Sequence, residues 1–308
     1  MRAAVLAREG ARPVVRQFND PRPVPGAVVI NVTTAGLGYW DLGGHYQFPV
    51  DYPCVIRGEG VGRTEDGRRV YFGERSVPPF GAWAERTVVP AEEVWDVPDD
   101  VDDKLAIALA IAGTGAFVPL RQAGIQAGEN VLVLGATGAL GQIGMQLARY
   151  FGAGRVVAAG RNETALARLA DRGIADAVVR IGGGDDAGAL GAAADDGFDV
   201  VLDVVYGEPF LAALKATRRG ARIMSVGVQA GITATVNLAD MLSRTHTCVG
   251  TGQRPPEDRR RIWAQLLDVA RSEKFTIDFA EYSLDAVADA WAAMASSPHA
   301  KIVATIAS

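Results

Sequence analysis

The segment VLVLGATGALGQIG, residues 131–144, constrains what this chain can fold into more than any other stretch of it. An apolar run, Val131 to Leu134, breaks at Gly135, and Gly138 and Gly141 follow at intervals of three. Leu140, Ile143, Gly144, Leu147 and Phe151 then fall at helical spacing, so the pattern predicts a strand, a glycine turn and an amphipathic helix in direct succession. A helix that opens from such a turn presents free backbone N–H groups at the positive end of its dipole, which suits a pyrophosphate. Gly135 allows the tight turn, Gly138 lets phosphates approach the backbone, and Gly141 lets the helix lie close on the sheet. Thr137, Ala139 and Leu140 complete the candidate cofactor-binding turn. Glycine turns join strands to helices in many folds, so a purely structural turn is the competing reading.

What surrounds this segment sets the class. The chain has 308 residues, against roughly 100–200 for an ordinary domain, so two domains are expected. The first third carries strand-like runs, such as AVVINVTTAGL at 27–37, between Gly and Pro punctuation. From about residue 103 an Ala-rich helical pattern begins, and apolar strands then alternate with helices: NVLVLG, RVVAAG, FDVVLDVV, ARIMSVG and HTCVGT. That alternation predicts an α/β, doubly wound parallel sheet with helices on both faces. PPEDRRRIWAQLLDVARSEKF and SLDAVADAWAAMAS read as late helices, the second opened by a Ser cap, and KIVATI as a last strand. IGGGDDAGALGAAADDG reads as a surface loop with a short helix.

A formal charge of -5 offers no basic field for nucleic acid or an acidic membrane, and the sequence alone shows no run of 18 apolar residues fit to cross a bilayer. The start MRAAVLAREG carries no visible secretory signal, so a cytoplasmic protein is expected. Cys54 and Cys248 stand far apart with no CxxC pattern and read as free thiols, packed as small apolar side chains.

The end of the second strand of the α/β region, RVVAAGRN, bears on cofactor choice. Dinucleotide folds that take NAD place an Asp or Glu about 20 residues beyond the glycines to bind the ribose hydroxyls. Gly160 and Arg161 occupy that place here. A carboxylate repels a 2′-phosphate, whereas a guanidinium grips one with paired charge-assisted bonds, so NADPH is favoured over NADH. Arg180, at the end of the next strand, is a second candidate for the same phosphate. The bland reading of either Arg is a solvated strand end.

The β-rich start, the dinucleotide fold and the helical return to a final strand resemble the medium-chain dehydrogenase/reductase superfamily, in its zinc-independent quinone oxidoreductase branch. VLVLGATGALGQIGMQLARYFGA resembles that branch's cofactor segment, GLGYWDLGGHY and PCVIRGEGVG its substrate loop and following strand, and SLDAVADAWAAMASSPHAKIVATI its carboxyl-terminal segment. The resemblance covers essentially the whole chain. It implies a GroES-like, β-rich catalytic domain at 1–113 and 253–308, and a Rossmann NADPH-binding domain at 114–252.

It also implies hydride transfer from NADPH to a quinone or to an activated alkene such as an enone. The nicotinamide would lie in the cleft between domains, bordered by Val205 and by Val226, Gly227 and Val228, with Thr114 facing the same ring. Zinc-dependent relatives take ligands from a Cys and a His where this chain has Gly38 and Gly58, and glycine cannot ligate a metal, so no zinc is expected. Tyr46 resembles a proton-donating tyrosine of some enoyl reductases, with Tyr39 and His45 as competitors for the role. The chain departs from the quinone reductases at Gly38, where they carry Asn, and near Thr164, where they carry Lys. Two alternatives stay open: a reductase of carrier-bound enoyl thioesters, and a non-catalytic NADPH-binding protein of structural or regulatory role. The partner implied is a small-molecule substrate, with HTCVGT as the sheet edge of a homodimer.

Overall fold

The structure, a computed structural model, describes residues 1–43 and 51–306. His45 and Tyr46 lie outside the described residues. The chain divides into two compact units, one of Met1–Ile111, Arg254–Leu267 and Ile277–Ser308, the other of Ala112–Gln253 and Asp268–Thr276.

The first unit is built from β1 (Arg2–Leu6), β2 (Val14–Gln17), β3 (Ala27–Leu37), α1 (Tyr39–Gly43), β4 (Cys54–Val55), β5 (Glu59–Thr64), β6 (Arg69–Phe72), β7 (Arg86–Pro90) and β8 (Val94–Asp96). α2 (Asp103–Ala123) then leads from this unit into the second. β9 (Asn130–Leu134), α3 (Ala139–Tyr150), β10 (Arg155–Gly160), α4 (Glu163–Asp171), β11 (Ala177–Arg180), α5 (Asp186–Ala193), β12 (Phe198–Asp203), α6 (Glu208–Lys215), β13 (Thr217–Ser225), α7 (Leu238–Met241) and β14 (Thr245–Cys248) make the second unit. The chain returns through α8 (Pro256–Ser272) to β15 (Phe279–Ser283), α9 (Val287–Ala295) and β16 (Lys301–Thr305), which rejoin the first.

In the first unit β2-β1-β4 form a small antiparallel sheet, while β15-β16-β3-β5-β6-β8 form a larger one in which β7 also pairs β3. Branched residues and close glycines explain the tight packing of β3 on β5. A Cβ at Gly62 would lie 2.3 Å from the Asn31 carbonyl oxygen, so only glycine admits that approach. Ile30, Val55, Ile56, Phe72 and Trp83 fill the core, and the Trp83 indole N–H donates to the Gly36 carbonyl at 3.0 Å.

The second unit holds one six-stranded sheet, ordered β11-β10-β9-β12-β13-β14, with every pairing parallel. Helices cover a parallel sheet on both faces, so its central strands are buried nearly throughout: β12 at every position, its two aspartates included, and β9 at all but its first. The order reverses between β9 and β12, and folds of this kind bind ligands outside the carboxyl ends of the strands at that point.

Three expectations are corrected. α2 is in fact long and apolar enough to cross a membrane by length and composition, yet 72% of its most apolar window is buried inside the protein, which is where its apolar side chains are used. Ser283 makes no side-chain capping bond; a single 3-10 turn at 284–286 leads into α9. Cys54 is packed as expected, but Cys248 is exposed, because β14 is the edge strand.

Candidate functional site

The glycine turn is a compact knot. The amides of Gly135 and Ala136 both donate to the Ala159 carbonyl, at 3.0 and 3.1 Å, which ties the end of β9 to β10. Gly138 is the N-cap of α3, and its carbonyl accepts the first helical bond from Gln142 at 2.9 Å. The buried Gln142 side chain donates from Nε2 to the Thr137 carbonyl at 2.8 Å and fastens the loop from within.

The three glycines meet different demands. Gly135 has φ of +76°, and a Cβ there would sit 2.9 Å from Val205 Cγ1. Gly141 lies so close to the turn that a Cβ would be 2.5 Å from the Gly135 carbonyl oxygen. At Gly138 the backbone is ordinary, with φ of −76°, and the nearest protein atom would be 3.7 Å from a Cβ. Nothing among the described residues demands glycine at 138. The amides of Ala139, Leu140 and Gly141 open the helix and have no acceptor within it. Beside them, Gly115 in α2 packs so tightly that a Cβ would lie 2.8 Å from Leu140 Cδ1; its neighbour in the helix, Thr114, is buried.

At the end of β10, Gly160 is in register with Arg180 of β11, and the Ile181 amide extends that ladder by donating to the Gly160 carbonyl at 2.9 Å. Arg161 and Arg180 therefore emerge side by side. Arg180 is ion-paired with Glu163 at 3.2 Å, both exposed. Arg161 is exposed and makes no ion pair among the described residues. A Cβ at Gly160 would only touch Thr137 Cγ2 and Leu166 Cδ2, each at 3.5 Å.

Across the switch point, Val205, Val226, Gly227 and Val228 come together at the carboxyl ends of β12 and β13. The Val226 amide donates to the Asp203 carbonyl at 2.8 Å, and a Cβ at Gly227 would fall 1.9 Å from the Val204 carbonyl oxygen. Sequence reasoning missed the polar chain behind them. Asp203, fully buried, accepts the amides of Val205 (3.0 Å) and Tyr206 (2.8 Å) on Oδ1 and the Ser225 hydroxyl (2.7 Å) on Oδ2. His246 Nε2 lies 3.0 Å from Ser225 Oγ. The one hydroxyl proton goes to the carboxylate, so His246 donates from Nε2 to Ser225, which fixes its tautomer. Its ring packs on Phe210 at 4.7 Å between centroids, and Cys248 Sγ lies 3.8 Å from the same Nε2. Burial pushes the Asp203 carboxyl above its ordinary range, opposed by the bonds from Ser225, Tyr206 and Val205; burial likewise pushes His246 down, opposed by Asp203.

In the first unit, Gly38 and Gly58 are bridged by one carboxylate. Asp41, buried, accepts the Gly38 amide at 2.8 Å and the Gly58 amide at 3.0 Å. Gly58 has φ of +49°, and a Cβ there would lie 2.5 Å from the Gly36 carbonyl oxygen. The next residue, Glu59, is ion-paired with Lys301 at 2.6 Å, both nearly inaccessible, and accepts the Tyr71 hydroxyl at 2.8 Å. Glu74, pushed up to about 7 by burial and by the nearby Asp41 and Glu59 carboxylates, completes this acidic cluster against Arg75 and Arg259. Tyr39, which opens α1, is 37% exposed and sets its ring edge against Trp40.

A family model described as zinc-binding dehydrogenase matches residues 139–270. The chain is 30% identical over 263 residues to quinone oxidoreductase-like protein 2 of Bos taurus, covering 80% of this chain and 74% of that one. It is 28% identical over 266 residues to the acryloyl-coenzyme A reductase of Metallosphaera sedula, covering 74% and 76%. A mycobacterial protein solved in complex with NADPH superposes with a TM-score of 0.86 at 23% identity over 99% of this chain and 100% of its own. The chain belongs to the medium-chain dehydrogenase/reductase superfamily of oxidoreductases, in its quinone oxidoreductase-like branch.

The matched family's description raises zinc, and the residues present do not fit it. The two positions that would supply ligands are glycines, one in a left-handed conformation that excludes a side chain, and the Asp41 carboxylate between them is taken up by their amides. Among the described residues no group of three or more His, Cys, Asp or Glu side chains is arranged to hold a metal.

Proposed function

We propose that this protein is an NADPH-dependent oxidoreductase that reduces a quinone or an activated alkene such as an enone, without zinc. The observation that carries this reading is Gly138, a bare helix N-cap that the protein's own packing does not require, standing where phosphates would meet the amides of Ala139 and Leu140. Arg161, without an ion pair among the described residues and with no carboxylate in its place, supports the phosphorylated cofactor.

NADPH, when bound, supplies the hydride from its nicotinamide C4. The chain's part is to bind and orient. Gly135, Thr137, Gly138, Ala139 and Leu140 receive the pyrophosphate, Arg161 and Arg180 the 2′-phosphate. Val205, Val226, Gly227 and Val228 border the nicotinamide, with Thr114, and Asp203 fixes Val205 through its amide. Tyr46 is the candidate donor of a proton to a reduced alkene, with Tyr39 and His45 as the other candidates; a reduced quinone can draw its proton from water. The carrier-bound enoyl thioester is a second reading, favoured by the likeness to an acryloyl-coenzyme A reductase. We further propose a homodimer joined through the β14 edge.

Initial rates of NADPH and NADH oxidation with a panel of quinones, enals and enoyl thioesters test this reading. We expect acceptor-dependent turnover with NADPH preferred. Turnover confined to the thioesters selects the second reading, and NADPH binding without turnover on any acceptor overturns both.

A further inference from the structure

The run Gly182–Gly183–Gly184 follows β11 at the edge where Arg161 emerges from β10. Three successive glycines cost more backbone entropy to hold in one conformation than any other tripeptide, so an ordered loop here needs an anchor. Asp186 provides it. Its carboxylate reaches back from the first turn of α5 and accepts the Gly182 amide at 2.8 and 2.9 Å and the Gly183 amide at 3.2 Å. Asp185 is engaged elsewhere, capping α5 through the Gly188 amide at 2.9 Å.

What the anchored loop borders is the stem of Arg161. A Cβ at Gly182 would lie 3.8 Å from Arg161 Cγ and 3.9 Å from its Cδ, so the stem of Arg161 passes beside Gly182 with room for no more than a methyl group between them. On the other side, Gly182 continues from Ile181, whose amide is bonded to the Gly160 carbonyl. Arg161 thus runs beside a wall that two features hold, the β10–β11 ladder and the Asp186 carboxylate, and that wall limits where its stem can swing. Gly182 has φ of +90°, a conformation that the amide bonds to Asp186 help retain.

We propose that Asp186 is a positioning residue for cofactor selectivity: by pinning Gly182 and Gly183 it holds the Arg161 stem in place, so that the guanidinium is preorganised for the 2′-phosphate of NADPH. The proposal rests on the assignment of Arg161 to that phosphate. Preorganisation raises affinity by removing the ordering cost from the binding step, and it does so only for the ligand that uses the ordered group. Asp186 is itself an anion near a phosphate-binding group, and its sign alone would disfavour NADPH; the two roles therefore predict opposite changes when it is removed.

The test is direct titration of the full-length, cofactor-free protein with NADPH and with NADH, by cofactor fluorescence at one fixed ionic strength, for the wild type, Asp186→Ala, Asp186→Asn, Arg161→Ala and the Asp186→Ala/Arg161→Ala pair. Asp186→Ala is expected to weaken NADPH about three- to tenfold and leave NADH unchanged, the size set by one ordered side chain. Asp186→Asn keeps one acceptor oxygen for the glycine amides and is expected to recover most of the loss. In the Arg161→Ala background, Asp186→Ala is expected to change nothing further. Tighter NADPH binding, an equal loss for both cofactors, or no change in Asp186→Ala would overturn the proposal while Arg161→Ala still abolishes the preference. An Arg161→Ala protein that keeps its preference for NADPH would instead sink the Arg161 assignment and the proposal with it. Melting curves of the unliganded variants report whether each has folded.

Discussion

Alanine at 141 would bring a methyl carbon within 2.5 Å of the Gly135 carbonyl oxygen and 2.6 Å of Ala136 Cα, and neither backbone atom can retreat without breaking the knot at the end of β9. Gly141→Ala is expected to cost about 3 kcal/mol or more, as overpacking against backbone does, and to show as a large drop in melting temperature without cofactor. Gly138→Ala meets no protein atom closer than 3.7 Å and is expected to melt within a degree or so of the wild type, while binding NADPH about tenfold or more weakly. A Gly138→Ala protein that binds NADPH normally would return the turn to a structural role. Glu74 gives a pH signature in the other unit. Its folded-state value of about 7 stands above the 4.5 of an unperturbed carboxyl, so between those values the folded protein holds a proton that the unfolded chain has lost. Stability then falls as pH rises from about 4.5 to 7, by about 3 kcal/mol at most. Urea midpoints across that range should decline in the wild type, and Glu74→Gln should flatten the slope.

Elements carry what single residues cannot. β12, β13 and β14 lie parallel and adjacent, and only that arrangement brings together Asp203, Ser225 and His246, which stand 22 and 21 residues apart in the chain. The strand, turn and helix at 130–150 were legible because a change from an unbroken apolar run to helical spacing is a local signal, written in consecutive residues. Gly38 and Gly58 were legible for a simpler reason: a residue without a side chain rules out a ligand whatever the fold. The Asp203 chain had no such signal, since HTCVGT announces a strand and nothing in it announces a partner on a neighbouring strand. α2 was legible as a helix, but its burial depends on what packs around it, which composition does not report. Ser283 is a suitable capping residue on paper, yet the chain enters α9 through a 3-10 turn and the hydroxyl makes no capping bond. For the network itself, Asp203→Ala strips acceptors from the amides of Val205 and Tyr206 and from Ser225 in a buried setting. The expected loss is about 2–4 kcal/mol, the range for leaving buried donors unsatisfied. Ser225→Ala, which leaves the two amides their acceptor, is expected to cost about 1 kcal/mol. Equal losses in chemical denaturation would contradict the assignment of the amides to Asp203.

For the whole molecule, the decisive surface is the open end of the six-stranded sheet. β14 pairs β13 on one side only, so among the described residues its outward backbone groups have no ladder partner. An uncovered edge strand invites pairing with another chain, and a second copy related by a two-fold axis offers the same edge in return, closing the assembly at two. Apolar side chains stand exposed in the segment that leads into β14: Ile232 at 79%, Leu238 at 73% and Leu242 at 61%. A protein with a formal charge of -5 repels its copies only weakly at moderate salt, so charge does not oppose contact through this end. Sedimentation at micromolar concentration is therefore expected to give a dimer, and Leu238→Glu with Leu242→Glu to shift it toward monomer by placing like charges on both copies. Both substitutions sit at exposed positions, so the melting temperature of the separated monomer should change little. A wild-type protein that sediments as a monomer at that concentration rules out the edge as an interface, and a dimer indifferent to both glutamates moves the contact off this face.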